Sequence, residues 1–245
     1  MINSDSKHSY KKNGFLHIKN FYDKNFIESL KEKTVIFLNN FKSDSSEIGH
    51  SDFETIDKKV KIKYCQSVFD SFLESRKLLS NKLIQTASEL IDGDNVFLSG
   101  LEIHIRNAGG GIIPAHQDNI SFCLKKAKAV TAYIVLDYQD ERSGGLGYIQ
   151  TNNGGIMEEH SLTNIPGFSS ALNVEESRKV IFPVLHPGDV VFHHCQTPHL
   201  AKSRPKGLDD SIAYSPRFFS FEDEVDNKKL EIYKSKLMYH RSKRN

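Results

Sequence analysis

A sheet-on-sheet core with helices packed outside it, or more broadly the α+β class, is what the order of periodicities predicts. Helical spacing of apolar residues dominates up to about residue 92, strand-like alternation follows it, and the two do not interleave as strand–helix–strand units would. The length of 245 residues, without internal repeats or a low-complexity linker, fits one large domain over residues 1–245. Its expected parts are a helical N-terminal region over 20–92, a β core over 95–221 and a basic helical tail over 222–245.

The elements follow in order. After a polar lead, Gly14-Phe15-Leu16-His17-Ile18 reads as a short strand. Asp23 to Phe41 carries Phe26, Ile27, Leu30, Val35, Phe37 and Leu38 at helical spacing. The Ser/Asp/Glu-rich stretch from Lys42 to Lys58 reads as a loop. Lys61 to Ile91 returns to helical spacing and is stopped by Asp92-Gly93-Asp94. From Phe97 to Ile105 the pattern alternates: Leu101, Ile103 and Ile105 face one way, Glu102, His104 and Arg106 the other. Val130 to Leu136 has the compact apolar composition of a central strand. Val180 to Leu185 and Val190 to His193 flank a His186-Pro187-Gly188-Asp189 turn, and Ser211 to Phe221 is the last strand. The tail ends basic, at Lys234, Lys236, Arg241, Lys243 and Arg244, as a solvated helix end does.

Composition narrows the function. With 38% hydrophobic and 26% charged residues, the chain can bury a core and is neither disordered nor fibrous. Sixteen Phe and nine Tyr without Trp suit a packed barrel interior or a lined pocket. A net charge of +2 gives no electrostatic case for nucleic acid. Cys65, Cys123 and Cys195 form no CxxC pair, so neither a disulfide framework nor a thiolate zinc site is indicated, and Cys123 and Cys195 read as small buried hydrophobes. The polar N-terminus lacks the apolar core of a signal peptide, and no run approaches the ~18 apolar residues of a membrane helix. The expectation is a cytoplasmic protein, monomer or homodimer, with no membrane or nucleic-acid partner.

Eleven histidines direct attention to metal binding. In Pro114-Ala115-His116-Gln117-Asp118, residues two apart on an extended segment share a side, so His116 and Asp118 can aim at one ion while Gln117 points away. Such a pair is equally common as a hydrogen-bonded or exposed feature, and a third ligand is needed. Downstream, Gly188-Asp189-Val190-Val191-Phe192-His193-His194-Cys195-Gln196-Thr197-Pro198-His199 ends in a histidine cluster. Two imidazoles and one carboxylate on one face of an octahedron leave three positions open, the arrangement of non-haem Fe(II) oxygenases.

These segments, with the Val130-to-Asp137 strand and Ile165-Pro166-Gly167-Phe168-Ser169, resemble the phytanoyl-CoA dioxygenase family of Fe(II)/2-oxoglutarate-dependent oxygenases from Gly14-Phe15 to about Phe221. The resemblance implies a mainly β fold with flanking α-helices. Its core is a double-stranded β-helix, jelly-roll or cupin-like, with N-terminal helices packed on one sheet. It implies His116, Asp118 and His199 as iron ligands, 2-oxoglutarate and O2 as co-substrates, and hydroxylation of a C–H bond in a small polar or anionic metabolite or natural-product intermediate. Related halogenases carry Gly or Ala where Asp118 stands, so the intact carboxylate favours hydroxylation or a related oxidation. His193 and His194 alternate around a strand, and the family pattern makes neither the ligand. His104, His160 and His186 read as ordinary polar residues.

Two departures matter. The family places an arginine for the distal 2-oxoglutarate carboxylate about a dozen residues after the second histidine; here Asp209-Asp210-Ser211 stand there. Arg217, six residues beyond Ser211 on the same strand face, is the expected substitute, with Arg204 and Lys206 in the preceding loop as other cations. Arg106, Thr131 and Tyr133 are the other candidates to face the co-substrate. The family's Pro-Gly-Ser-His turn is replaced by Gln150-Thr151-Asn152-Asn153-Gly154-Gly155, in a loop of the kind that lines a substrate opening. Asn119, Gln150 and Asn152 are the expected substrate contacts. The missing arginine also keeps open a 2-oxoglutarate-independent iron oxidase, a non-catalytic jelly-roll binding protein that retains the metal site, and a zinc hydrolase.

Overall fold

In the computed structural model, which describes residues 2–41, 51–66, 68–150, 156–163, 165 and 168–242, the chain begins as a helix. α1 (Ser4–Asn13) is started by the Asn3 side chain, which accepts from the Ser6 N–H, and is closed by Gly14 at φ 77°. Only Tyr10 of α1 is buried, so the polar lead carries no apolar periodicity to announce it. β1 (Phe15–Ile18) and α2 (Lys24–Asn39) follow, α2 capped by Asp23. Thr34 on α2 is fully buried and bonds Tyr214 Oη at 2.7 Å.

The next stretch departs from the expected loop and long helix. β2 (Ser51–Ile56) and β3 (Lys59–Cys65) form a hairpin. Lys59-Val60-Lys61-Ile62-Lys63-Tyr64-Cys65 alternates with period two, the pattern of a strand. Helical structure resumes only as α3 (Val68–Ser71), a 3-10 turn (Leu73–Leu78) and α4 (Asn81–Leu90). The Ser80 side chain accepts from the Leu83 N–H and starts α4 as a separate helix.

The remaining strands are β4 (Val96–Arg106), β5 (Ile113–His116), β6 (Ala129–Val135), β7 (Leu146–Ile149), β8 (His160–Leu162), β9 (Ser170–Leu172), β10 (Val180–Ile181), β11 (Val190–His194), β12 (His199–Ala201) and β13 (Ser211–Ser220). A four-residue α5 (Asn119–Phe122) follows β5, and α6 (Asn227–Ser242) ends the described chain. β10 stops short of the expected Leu185 because Pro183 has no N–H for a ladder.

One sheet has the order β1-β11-β6-β13-β4-β3-β2, the other β10-β7-β12-β5, with β8-β9 a separate pair. The strands within both are antiparallel. This is the expected mainly β jelly roll. The largest apolar cluster is not the barrel interior but the layer between the seven-stranded sheet and the N-terminal helices. It joins Ile27, Leu30 and Leu83 to Leu101, Ile134 and Phe192. Phe21, Phe72, Phe192 and Phe218 lie in this layer, so much of the phenylalanine stock packs outside the barrel. The alternation of β4 explains the division: Leu101, Ile103 and Ile105 face the helices, while Glu102, His104 and Arg106 face inward.

Gly14 joins this layer to the far end of the barrel. Its carbonyl accepts from Thr197 Oγ1 at 2.7 Å and from the His194 N–H at 2.9 Å. A Cβ there would lie 2.3 Å from Thr197 Oγ1, at a φ of +77°. Gly14→Ala is expected to destabilise the fold by about 1–3 kcal/mol, read as a lower midpoint in chemical denaturation. An unchanged midpoint would show that the joint yields freely.

Candidate active site

Three donors converge where the two sheets face each other. His116 ends β5, Asp118 follows after one residue, and His199 opens β12 directly opposite His116 in the ladder. Their ligand atoms lie within 4.8 Å of one another, the one such group of at least three among the described residues. Asp118 Oδ1 is 3.8 Å from His116 Nε2 and 3.7 Å from His199 Nε2.

Each imidazole is oriented by a backbone carbonyl. His116 Nδ1 lies 2.9 Å from the Pro114 oxygen, and His199 Nδ1 the same distance from that of Thr197. An Nδ1–H held in this way leaves the Nε2 lone pair free, the state a metal requires. Burial lowers the pKa of His116 and pushes that of His199 well below the usual histidine value, so both are neutral near pH 7.

Burial alone would raise the pKa of Asp118. The hydrogen bond from His193 and the charges of His199, His193 and His116 outweigh it and hold the carboxyl far below its ordinary range. Its second oxygen, Oδ2, accepts from Thr131 Oγ1 at 2.7 Å and lies 3.1 Å from His193 Nε2. Gln117 points away, as the spacing predicts. Its amide is buried and bridges the carbonyls of Ile156 and Gln196.

The triad opens on a cavity walled on the large sheet by Glu102, His104, Arg106, Thr131, Tyr133 and Arg217. Lys63 and Tyr64 of β3 and Phe168 complete the wall, and Tyr233 reaches it from α6. The basic tail therefore begins as a helix that contributes to the cavity before its charges meet solvent.

The expected co-substrate residues are divided by the fold. Arg217 lies in register with Thr131 rather than beside Ser211, and a register shift between Arg217 and Phe218 bends the strand there. Its Nη2 is 3.0 Å from Glu102 Oε1, and its guanidinium sits 5.4 Å from the centre of the Phe122 ring. Gly100 makes room for it, because a Cβ there would fall 2.5 Å from Nη2. Arg106, by contrast, pairs in register with Ser211, where the family's arginine is missing. It is 5% exposed and lines the cavity, and its Nη2 donates to the carbonyls of Gly111 and Lys202. Its Nε is buried without a partner, and among the described residues it forms no ion pair. Burial lowers its pKa. Tyr133 Oη donates to Gln139 at 3.1 Å.

The other loop cations are engaged elsewhere. Arg204 donates to the carbonyls of Asp209 and Ser143, and Lys206 pairs with Asp57. Of the expected substrate contacts, Asn119 is not in the cavity wall. It is buried and closes on its own turn, its Nδ2 donating to the Leu124 carbonyl and its Oδ1 accepting from the Leu124 N–H. Gln150 is exposed and also outside the wall. Asn152 lies outside the described residues.

Sequence reasoning passed over Glu102 and His104, which face the site 3.2 Å apart. Their signal was present in the alternation of β4, which puts a carboxylate and an imidazole on the inward face. His160 accepts from the Gln117 N–H at 3.2 Å and so braces the loop between two ligands.

A family model described as phytanoyl-CoA dioxygenase (PhyH) matches residues 10–204. The chain belongs to the phytanoyl-CoA dioxygenase family. No curated protein matches its sequence. Among solved structures it is similar to EvdO2 from Micromonospora carbonacea var. aurantiaca complexed with 2-oxoglutarate. The TM-score is 0.70 at 19% identity, covering 92% of this chain and 93% of that one. It is also similar to EctD from S. alaskensis with 2-oxoglutarate and 5-hydroxyectoine, with a TM-score of 0.72 at 12% identity over 92% and 78% of the two chains. The non-haem, alpha-ketoglutarate-dependent epimerase SnoN from nogalamycin biosynthesis gives 0.69 at 16% identity over 89% and 81%. At these identities the likeness is one of fold, and it joins this dioxygenase-family chain to the jelly-roll class. No described helix is long and apolar enough to cross a membrane.

Proposed function

We propose that this dioxygenase-family protein is an Fe(II)- and 2-oxoglutarate-dependent enzyme that oxidises a C–H bond of a small molecule, with hydroxylation as the outcome. The observation that carries the reading is the convergence of His116, Asp118 and His199 inside a polar-walled cavity. Two neutral nitrogens and one carboxylate suit Fe(II) and leave positions for a bidentate keto acid and O2. When bound, iron with 2-oxoglutarate supplies oxidising power that no side chain has. SnoN is an epimerase, which makes the oxidative outcome a separate question from the cofactor set.

The chain's own residues bind and orient. His116 and His199 present Nε2 because their Nδ1 atoms are anchored. Thr131 and His193 occupy the outer oxygen of Asp118. Arg106, a buried guanidinium without an anionic partner, is suited to the distal carboxylate of 2-oxoglutarate, which supports dependence on that co-substrate over an independent oxidase. Arg217, Glu102 and His104 then wall the cavity on the substrate side, and the intact Asp118 argues for oxygen transfer rather than halide transfer.

The test is anaerobic reconstitution with Fe(II) and 2-oxoglutarate, followed by air. A visible charge-transfer band and then succinate in step with 2-oxoglutarate loss are expected. Iron binding without either would overturn the reading.

A further inference from the structure

The second histidine at the site, His193, has an arrangement that the ligand set does not account for. It is 2% exposed, lies on β11 opposite Thr131, and has both ring nitrogens in use. Nε2 is 3.1 Å from Asp118 Oδ2, and Nδ1 is 3.0 Å from Tyr148 Oη. A carboxylate only accepts, so the proton sits on Nε2, and a neutral ring must then accept from the tyrosine hydroxyl at Nδ1. Tyr148 is fully buried and lies on Phe15, with ring centres 4.2 Å apart and planes 11° from parallel. Phe15 is the register partner of His193 on β1, and Tyr148 is that of His199 on β7. The direction of donation is therefore set from Tyr148 through His193 to Asp118, and each member is fixed by a strand.

We infer that His193 is a positioning residue that fixes how Asp118 binds metal. With Thr131 it fills Oδ2 from two directions, which leaves Oδ1 alone turned toward His116 and His199. Asp118 then binds through one oxygen and cannot chelate, so an additional coordination position stays open for small molecules. The inference rests on the metal-site part of the proposed function and not on the co-substrate.

Three variants test it, each loaded with Co(II) as a spectroscopic stand-in for iron. His193→Phe keeps the ring and removes the donor. It should weaken Co(II) binding by about 10–100-fold, the size of effect seen when groups that orient ligands are removed, and change the intensity of the visible Co(II) bands as Oδ2 joins the metal. His193→Gln restores an N–H near Nε2 and should return affinity and spectrum toward wild type. Tyr148→Phe removes only the hydroxyl and should weaken binding less than His193→Phe.

Wild-type affinity and spectrum in His193→Phe would overturn the inference. So would complete loss of metal stoichiometry in both His193 variants, which would make His193 a ligand. Should His193→Phe fail to fold, Tyr148→Phe and His193→Gln decide it: a Tyr148→Phe spectrum identical to wild type overturns it. If wild-type protein binds Co(II) as described but takes no 2-oxoglutarate, the proposed function fails and the positioning role stands.

Discussion

His199→Ala protein is expected to lose iron(II) affinity by roughly 100-fold or more, because groups that merely orient metal ligands are already worth about 10–100-fold. Metal content after desalting, followed by calorimetric titration, measures it. The argument is geometric. His199 supplies one of three donors within 4.8 Å, and its ring lies against those of His116 and His193, with centroids 4.3 and 4.6 Å away. Alanine would leave two donors and an apolar gap. His194→Ala is the matched control. His194 is the next residue after His193 but is half-buried on the opposite side of β11, where its Nδ1 accepts from the Gln196 N–H. It should keep iron at wild-type affinity. A His199→Ala protein that binds iron as tightly as the control would remove His199 from the ligand set.

The contrast between neighbouring histidines shows what was legible in the sequence. His116 and Asp118 were readable because period two on an extended segment puts them on one side, and that inference needs no tertiary information. His199 needed the family pattern, since nothing local separates it from His193 or His194. Only the pairing of β12 with β5 brings it opposite His116, and only the pairing of β11 with β6 brings His193 to Asp118. The inward face of β4 was legible by the same alternation, yet His104 looked ordinary because the residues opposite it cannot be read from one strand.

Other misses have equally local causes. α1 buries a single residue, so tertiary docking rather than periodicity makes it a helix. The hairpin of β2 and β3 was hidden because Ile62 and Tyr64 also fit a helical stripe when the reading window runs on into α4. Asn119 follows the motif directly, which made it look like a substrate contact, but a turn at Cys123 with φ 54° draws its amide inward. Proximity along the chain and proximity in the cavity are different properties, and turns are where they separate.

The same distinction decides which arginine holds the co-substrate. Arg106→Ala is expected to raise the dissociation constant for 2-oxoglutarate by at least about 100-fold, since breaking a buried ion pair costs about 3–5 kcal/mol and each ~1.4 kcal/mol is tenfold. Arg217→Ala should leave it within about threefold. Sequence spacing favours Arg217, because an offset of six keeps it on the face of Ser211. But six residues of strand span about 20 Å, and Arg217 ends beside Thr131, ion-paired to Glu102. Arg106 reaches the Ser211 position from the neighbouring strand instead, and it arrives without a carboxylate. An unpaired buried guanidinium is costly, and a dianionic keto acid removes that cost while supplying two oxygens in the plane that the guanidinium fork fits. Arg106→Lys keeps the charge and loses the fork, so its affinity should fall between the other two. Titration of iron-loaded protein without oxygen, followed by the charge-transfer band, ranks all three. Equal iron stoichiometry shows that a loss belongs to the co-substrate rather than to the metal site. The reverse order, with Arg217→Ala weak and Arg106→Ala unaffected, would place the carboxylate at the Glu102 end of the cavity.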